Sequence, residues 1–440
     1  MNDNEHPDRL KRTRFLLLTV PSFELCFAYA TESALLTGCA LMLGASGFQI
    51  GLLGSALWMG RLGVIAAPFL VRLTGGRRRP LLLILTALRY LFWLPIVLLP
   101  ILRPEGAVWY MLLFITLASL CAAPASVLQT SWTVAVVPKD DRNRFSGSQS
   151  ALMLIAAIIM CPLAGYLIDS VGHERGFSLV FAIGIGIGLV AMIWYYLAHD
   201  PGLADNSMPS LSEQVRSALS RPLFRRFMVF YALQAMALTA IIFSINLIYL
   251  KFLGLSFVFI TSWMAIGKVG KMVSCYLSGR ASSRFGALAN LKVGNFLLCL
   301  SLLLMFVAQP ETLFIVPVFL VLFNFFDGCV DVPQNVLIMN WGNQEEPTVD
   351  LSILTVVAAL GGMLGPFAGG LLVELLEGSS WSFGSYVFLP YHLVLAGSMG
   401  VMFLAMLFLP RTRDANERPT LALVQAAFRP LTFMREILRR

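Results

Sequence analysis

An all-α polytopic membrane protein, with twelve spans in two like halves, is the fold class this 440-residue chain predicts. Three observations carry it. Hydrophobic residues make up 58% and charged residues 13% of the chain, with a mean hydropathy of +0.78, whereas a soluble domain has about half and about a quarter. Apolar runs of about 20 residues, long enough to cross a ~30 Å hydrocarbon core as helix, recur twelve times. Finally, two short motifs recur half a chain apart: Gly60-Arg61-Leu62-Gly63 as Gly267-Lys268-Val269-Gly270, and Pro162-Leu163-Ala164-Gly165 as Pro366-Phe367-Ala368-Gly369. The chain reads as one membrane unit written twice.

Residues 1–14 form a polar tail. The spans fall near 15–37, 48–70, 80–101, 108–131, 148–168, 177–198, 228–250, 256–278, 289–308, 313–337, 352–374 and 386–409. Alternating ten-residue segments of the barrel type are not present. The first run has no small-residue cleavage site after a short apolar region, so it is expected to stay as an anchor. Residues 199–227 are polar and broken by Pro201, Gly202, Pro209 and Pro222, the composition of a linker between two six-helix halves, 15–198 and 228–410. Within it, Ser210 and Glu213 have the spacing of a capping box. Residues 411–440 mix apolar residues with Arg429, Arg435, Arg439 and Arg440, as an interfacial helix interrupted by Pro430 would.

The net charge is +8, but its distribution argues against nucleic acid. With the amino terminus cytoplasmic, the inner segments hold twenty-five Lys and Arg and the outer loops three, Arg103, Arg175 and Lys251. This positive-inside asymmetry places both termini in the cytoplasm of an inner membrane and gives the basic residues lipid headgroups as partners. The loop 338–350 is the exception, with Glu345, Glu346 and Asp350 and no Lys or Arg. The seven cysteines all lie in or beside apolar spans without paired spacing, so neither disulfides nor a metal centre is expected. The chain also lacks a phosphate-binding GxxxxGK[ST] loop and a Gly-x-Ser-x-Gly elbow, so no cofactor, ATP drive or enzymatic chemistry is expected.

The repeat extends to a second register. Gln129 precedes Pro162 by 33 residues and Gln334 precedes Pro366 by 32. The register of Arg61 against Lys268 is looser, which makes Lys271 an alternative equivalent. With its halves, its linker and a basic turn after the eighth span, Gly279-Arg280-Ala281-Ser282-Ser283-Arg284-Phe285-Gly286, the chain from 15 to 410 resembles the major facilitator superfamily. That family writes the turn with an acid where Ser283 stands, and the first copy, Gly76-Arg77-Arg78, has Leu73 at the acid's place. The stretch Gly361 to Gly370, GGMLGPFAGG, is similar to the family's Gly-Pro motif, which is associated with exporters. The resemblance implies alternating access, with Gly279, Arg284, Gly286, Pro162, Gly365 and Pro366 as gating or hinge positions. Glycines and a proline at these spacings also suit close, bendable helix packing on their own account.

Counted from the inferred cytoplasmic ends, Glu24, Arg61, Arg89, Lys268, Asp327 and Asp331 lie about seven to eleven residues into their spans, roughly 10–17 Å deep. A charge at that level costs about 2.5–3.5 kcal/mol on insertion scales, so it faces a partner or a wet cavity. Asp327 and Asp331, four apart, share one helical face with Gln334 close by, and two adjacent carboxylates resist double ionisation, which suits proton uptake and release. Glu24 is a second proton candidate. The competing reading is structural ion pairing, Glu24 with Arg61 and Asp327 with Lys268. Arg61 with Lys268 or Lys271 would suit an anionic substrate. Gln129, Gln234, Asn246 and Asn335 lie on spans that line the cavity in the family, and intramembrane amides serve equally as glue between helices. Arg89 reads as support for a pair, and Glu32 and His392 sit nearer the outer face, where a lone histidine is mostly a packing residue.

The expected function is secondary transport of a small organic, anionic solute by a monomer, with protons as the coupling ion. Proton-antiport export of drug-like compounds or metabolites is the alternative. A carrier-shaped receptor or assembly factor is a third reading, motivated by Leu73 and Ser283 at the lost acid positions.

Overall fold

A computed structural model describes residues 5–31, 34–66, 70, 78–138, 141–199, 216, 219–341, 347–384 and 386–409. The capping box at Ser210, the basic tail, Glu32, Leu73, Glu345 and Glu346 lie outside the described residues.

The helices follow the apolar runs. In chain order they are α1 (Glu5–Thr31, continued by Ala34–Met42), α2 (Gly47–Gly60, with a 3-10 turn Arg61–Ala66), α3 (Arg78–Leu102) and α4 (Ala107–Val136). Next come α5 (Arg142–Val171), α6 (His173–Leu197), α7 (Pro222–Leu247, with a π turn Ile248–Phe252) and α8 (Phe257–Phe285). The last are α9 (Ala287–Leu302 and Leu304–Val307), α10 (Ile315–Trp341), α11 (Pro347–Leu375) and α12 (Pro390–Leu407). A short antiparallel hairpin, β1 (Trp381–Phe383) and β2 (Tyr386–Phe388), precedes α12. Among the described residues, eleven of these twelve helices are long and apolar enough to cross a membrane by length and composition. The exception is α8, whose 29 residues carry Lys268, Lys271, Arg280 and Arg284.

Local chemistry sets the ends. At α2, the Ser46 hydroxyl accepts from the Gln49 N–H at 3.3 Å while the Gln49 side chain accepts from the Ser46 N–H at 3.0 Å, a reciprocal capping box. Pro222 and Pro390 occupy first-turn positions, where no N–H is needed. Gly286, with φ +95°, joins α8 to α9 in a conformation that a side chain would strain. Prolines inside helices free a carbonyl one turn back, and in lipid that carbonyl needs another donor. Pro333 frees the Cys329 carbonyl, which faces the Ser278 hydroxyl of α8 at 3.5 Å.

Two compact units result. One comprises residues 1–209 with 255–262 and 366–374, and the other 210–254 with 263–365 and 375–440, so that one boundary falls between Gly365 and Pro366. In the first unit α1 packs on α5 and α6, and α3 on α4 and α6; in the second α7 packs on α12, and α9 on α10 and α12. The α1·α6 and α3·α4 pairs thus recur as α7·α12 and α9·α10, as a repeat requires. Each copy of the glycine-basic motif has the same task within its unit. An alanine Cβ at Gly60 of α2 would lie 2.6 Å from the Ser119 main-chain carbonyl carbon of α4, and at the corresponding Gly267 of α8 2.8 Å from the Leu320 carbonyl oxygen of α10. Small residues there let backbones touch, the packing currency of helices that gain nothing from hydrophobic exclusion in lipid. One side of α3 leaves the apolar side chains of Ile84, Leu91, Leu98 and Ile101 exposed.

Candidate functional site

In the second unit three of the charged side chains singled out in the sequence converge. Lys271 of α8 meets both aspartates of α10: its Nζ lies 2.6 Å from Asp327 Oδ2 and also contacts Asp331 Oδ2. The four-residue spacing that stacks Asp327 over Asp331 places both on the ammonium. Asp331 keeps nearly half of its side chain exposed, while Lys271 and Asp327 are three-quarters covered. Three formal charges sum to −1, so this cluster has room for one more proton. The pair expected between Asp327 and Lys268 therefore forms with Lys271. Lys268, half-buried one turn nearer the helix start, adds positive potential at Asp331.

A ladder of amides lies in the same unit. Gln334 of α10 donates to the Gln234 Oε1 of α7, Gln234 Nε2 donates to Asn295 Oδ1 of α9 at 3.1 Å, and Asn295 donates to the Leu291 carbonyl. All three amides are buried, and Gln234 is 1% exposed. Their hydrogen bonds are used between helices, which is the glue reading of intramembrane amides. Asn246 is also buried on α7. A second ladder joins α8 to α9, where Asn290 Nδ2 reaches Ser278 Oγ at 2.7 Å and Ser282 Oγ at 2.9 Å.

In the first unit Glu24 of α1 does not pair with Arg61. The Tyr195 hydroxyl of α6 donates to Glu24 Oε1 at 2.8 Å, and the Arg61 guanidinium lies 3.8 Å over the Trp58 ring. Arg89 of α3 is held over Phe27, 4.6 Å from the ring centre. Gln129 is half-buried on α4, and its side-chain amide has no hydrogen-bond partner among the described residues.

Two of the expected hinge positions, Gly365 and Pro366, lie at close helix contacts. Pro162 stands three residues before Gly165, where an alanine Cβ would come within 2.6 Å of the Phe257 carbonyl; one at Gly370 would come within 2.8 Å of the Gly51 Cα. Gly365 packs on Met236 of α7, and Pro366 on Gly51 and Gly54 of α2. Gly279, Arg284 and Gly286 occupy the end of α8 and its joint to α9. Ser283, at the acid position, donates back to the Arg280 carbonyl at 2.8 Å.

Three acids that the sequence reading did not single out as site residues have structural tasks. Asp169, at the end of α5, accepts from the N–H groups of Phe257 and Val258 at 3.3 and 2.7 Å; Glu374, at the end of α11, accepts from the Phe48 N–H at 3.1 Å. Each carboxylate caps the first turn of a helix, α8 or α2, where the free N–H groups and the dipole favour negative charge. Asp169 follows Pro162 by seven residues and Glu374 follows Pro366 by eight, so the two caps are copies within the repeat. Asp350, the described member of the unusual acidic loop, is 1% exposed and forms a two-pronged pair with Arg221, one arm at 2.8 Å.

Repeat-related sets of helices long and apolar enough to cross a membrane are, in this family, those of an integral membrane transporter rather than an enzyme. The chain belongs to the Major Facilitator Superfamily, whose family model matches residues 22–340 and 276–440. Among curated proteins no sequence matches it. Among solved structures it is similar to the nucleoside transporter NupG, with 14% identity, TM-score 0.67, and 91% of this chain and 100% of that one covered. It is also similar to a bacterial homologue of the human lysosomal transporter Spinster, at 16% identity and TM-score 0.66, covering 97% and 98%. The human organic anion transporter MFSD10 aligns at 14% identity and TM-score 0.59, covering 91% and 99%. At these identities the likeness is one of fold.

Proposed function

We propose that this protein is a proton-coupled secondary carrier of a small organic solute, with Asp327, Asp331 and Lys271 as one proton-exchange site and Glu24 as another. The observation that carries this reading is the contact of one ammonium with two carboxylates, one of them half-exposed. Taking up a proton makes the cluster neutral and loosens one arm of the contact; releasing it restores both. The two sequence halves, 15–198 and 228–410, are the bodies that rock in alternating access, with both termini on the cytoplasmic side of an inner membrane. Arg61 and Lys268, cations contributed by both halves of the sequence, recommend an anionic substrate, and Gln129 offers an amide for its polar groups. Lipid headgroups cover the basic inner rim, and the working form is a monomer.

Export is the second reading, favoured by the run from Gly361 to Gly370, which packs tightly on Ala232 and Met236 of α7. A thermal-shift panel on purified protein, at two pH values and containing nucleosides, monocarboxylates and phosphorylated metabolites, tests the substrate class. Stabilisation by an anion and not by neutral nucleosides supports the anionic reading, and the reverse pattern overturns it. Uptake against efflux in cells lacking the protein decides direction.

A further inference from the structure

Glu24 lies eleven residues, about 16 Å of helix, above the contact in which the Thr13 hydroxyl accepts from the His199 N–H. It is half-buried, and its one hydrogen-bonding side chain among the described residues is Tyr195. Tyr195 is 1% exposed and immobilised from behind. Trp132 of α4 stacks on its ring, 6.2 Å between centroids and 23° from parallel, and Trp132 is itself tied to the His199 carbonyl by its Nε1–H at 3.1 Å. The other groups acting on the pair are Arg89 and Tyr90 of α3. Arg89 forms no ion pair with a described acid and rests over the rings of Phe27 and Tyr90. From α5, which also packs on α1, comes the uncharged Gln149.

The identity of the partner matters. Arg221, which holds Asp350, offers donors only and suits a carboxylate alone. A phenol is uncharged and both donates and accepts, so it serves a carboxylate and a carboxylic acid equally. When a proton joins Oε2 of Glu24, Oε1 becomes the carbonyl oxygen and still accepts from the Tyr195 O–H, so no bond has to break.

We propose that Tyr195 is a positioning residue for proton exchange at Glu24, holding Oε1 in both protonation states and leaving Oε2 as the atom that gains and loses the proton. The proposal rests on the proton-coupled reading above. Its test needs no substrate. Infrared difference spectra of the full-length protein in lipid nanodiscs, titrated between about pH 4 and 9, report protonated carboxyls by their C=O stretch. The expected result is a titrating band that disappears in Glu24→Gln and persists in Tyr195→Phe at higher frequency, because Oε1 has lost its donor. Tyr195→Phe keeps the stacked ring, and unchanged thermal unfolding verifies that both variants are folded. A band of full intensity in Glu24→Gln, or an unmoved band in Tyr195→Phe, overturns the proposal. A band removed by Asp331→Asn together with none removed by Glu24→Gln defeats this inference alone, whereas no titrating carboxyl in any variant defeats it and the proton-coupled reading together.

Discussion

The side-chain amide of Gln149 in α5 donates to the main-chain carbonyl of Leu17 in α1 at 3.2 Å, and that carbonyl is the acceptor deprived of its helical N–H by Pro21. The proline's defect and its repair sit on helices 132 residues apart in sequence. Gln149→Leu, which leaves a buried acceptor without a donor, is expected to cost about 1–3 kcal/mol. Restoring the N–H with Pro21→Ala should remove most of that cost, and a double-mutant cycle by thermal unfolding in detergent measures the coupling.

Arg221 and Asp350 tie the start of α7 to the first turn of α11. Asp350→Asn leaves a guanidinium facing a neutral amide in a buried place, and a loss of about 3–5 kcal/mol is expected. Replacing both, Arg221→Met with Asp350→Leu, should recover most of the stability, because an apolar pair needs no compensation. Equal losses in the single and double variants, read from unfolding midpoints, would show that the pair does not act as a unit.

The glycine-basic motif predicts a position-specific sensitivity. Gly267→Ala places a methyl group against the Leu320 carbonyl and should cost about 1–3 kcal/mol. Gly397 of α12 has no atom within 4 Å of the added Cβ, so Gly397→Ala should be neutral or slightly stabilising. Comparable losses at both sites would mean that helix packing is not what the motif supplies.

The two repeat-related caps predict a difference between charge and hydrogen bonding. Asp169→Asn keeps an acceptor for the Phe257 and Val258 N–H groups and should lose a few tenths of a kcal/mol, while Asp169→Ala should lose about 1 kcal/mol. Thermal unfolding of the two variants side by side distinguishes them.

Twelve helices and their repeat were legible in the sequence because composition and spacing report burial directly. Pairing was not. Choosing between Lys268 and Lys271 as the partner of Asp327 depends on the rotation of α8 about its axis, and residues three apart face directions only about 60° apart, too close for spacing to separate. Tyr195 gave no signal, since a Tyr-Tyr pair at the end of an apolar run reads as an ordinary interfacial anchor. Asp350 was visible as an exception to the charge pattern, but its partner stands 129 residues earlier, beyond any local rule. Nothing in the sequence separated Gln129 from Gln234 and Gln334, and the structure distinguishes the two buried in a ladder from the one whose amide has no hydrogen-bond partner among the described residues.

The central claim is that Asp331, held with Asp327 on Lys271, exchanges the proton that drives transport. The most direct measurement is accumulation of the solute identified by the thermal-shift panel in proteoliposomes, with and without an imposed pH gradient, for the wild-type protein and Asp331→Asn. Gradient-dependent accumulation by the wild type is expected, with Asp331→Asn losing that accumulation while still exchanging solute in counterflow. Accumulation by Asp331→Asn equal to wild type, or wild-type accumulation indifferent to the gradient, would contradict the account.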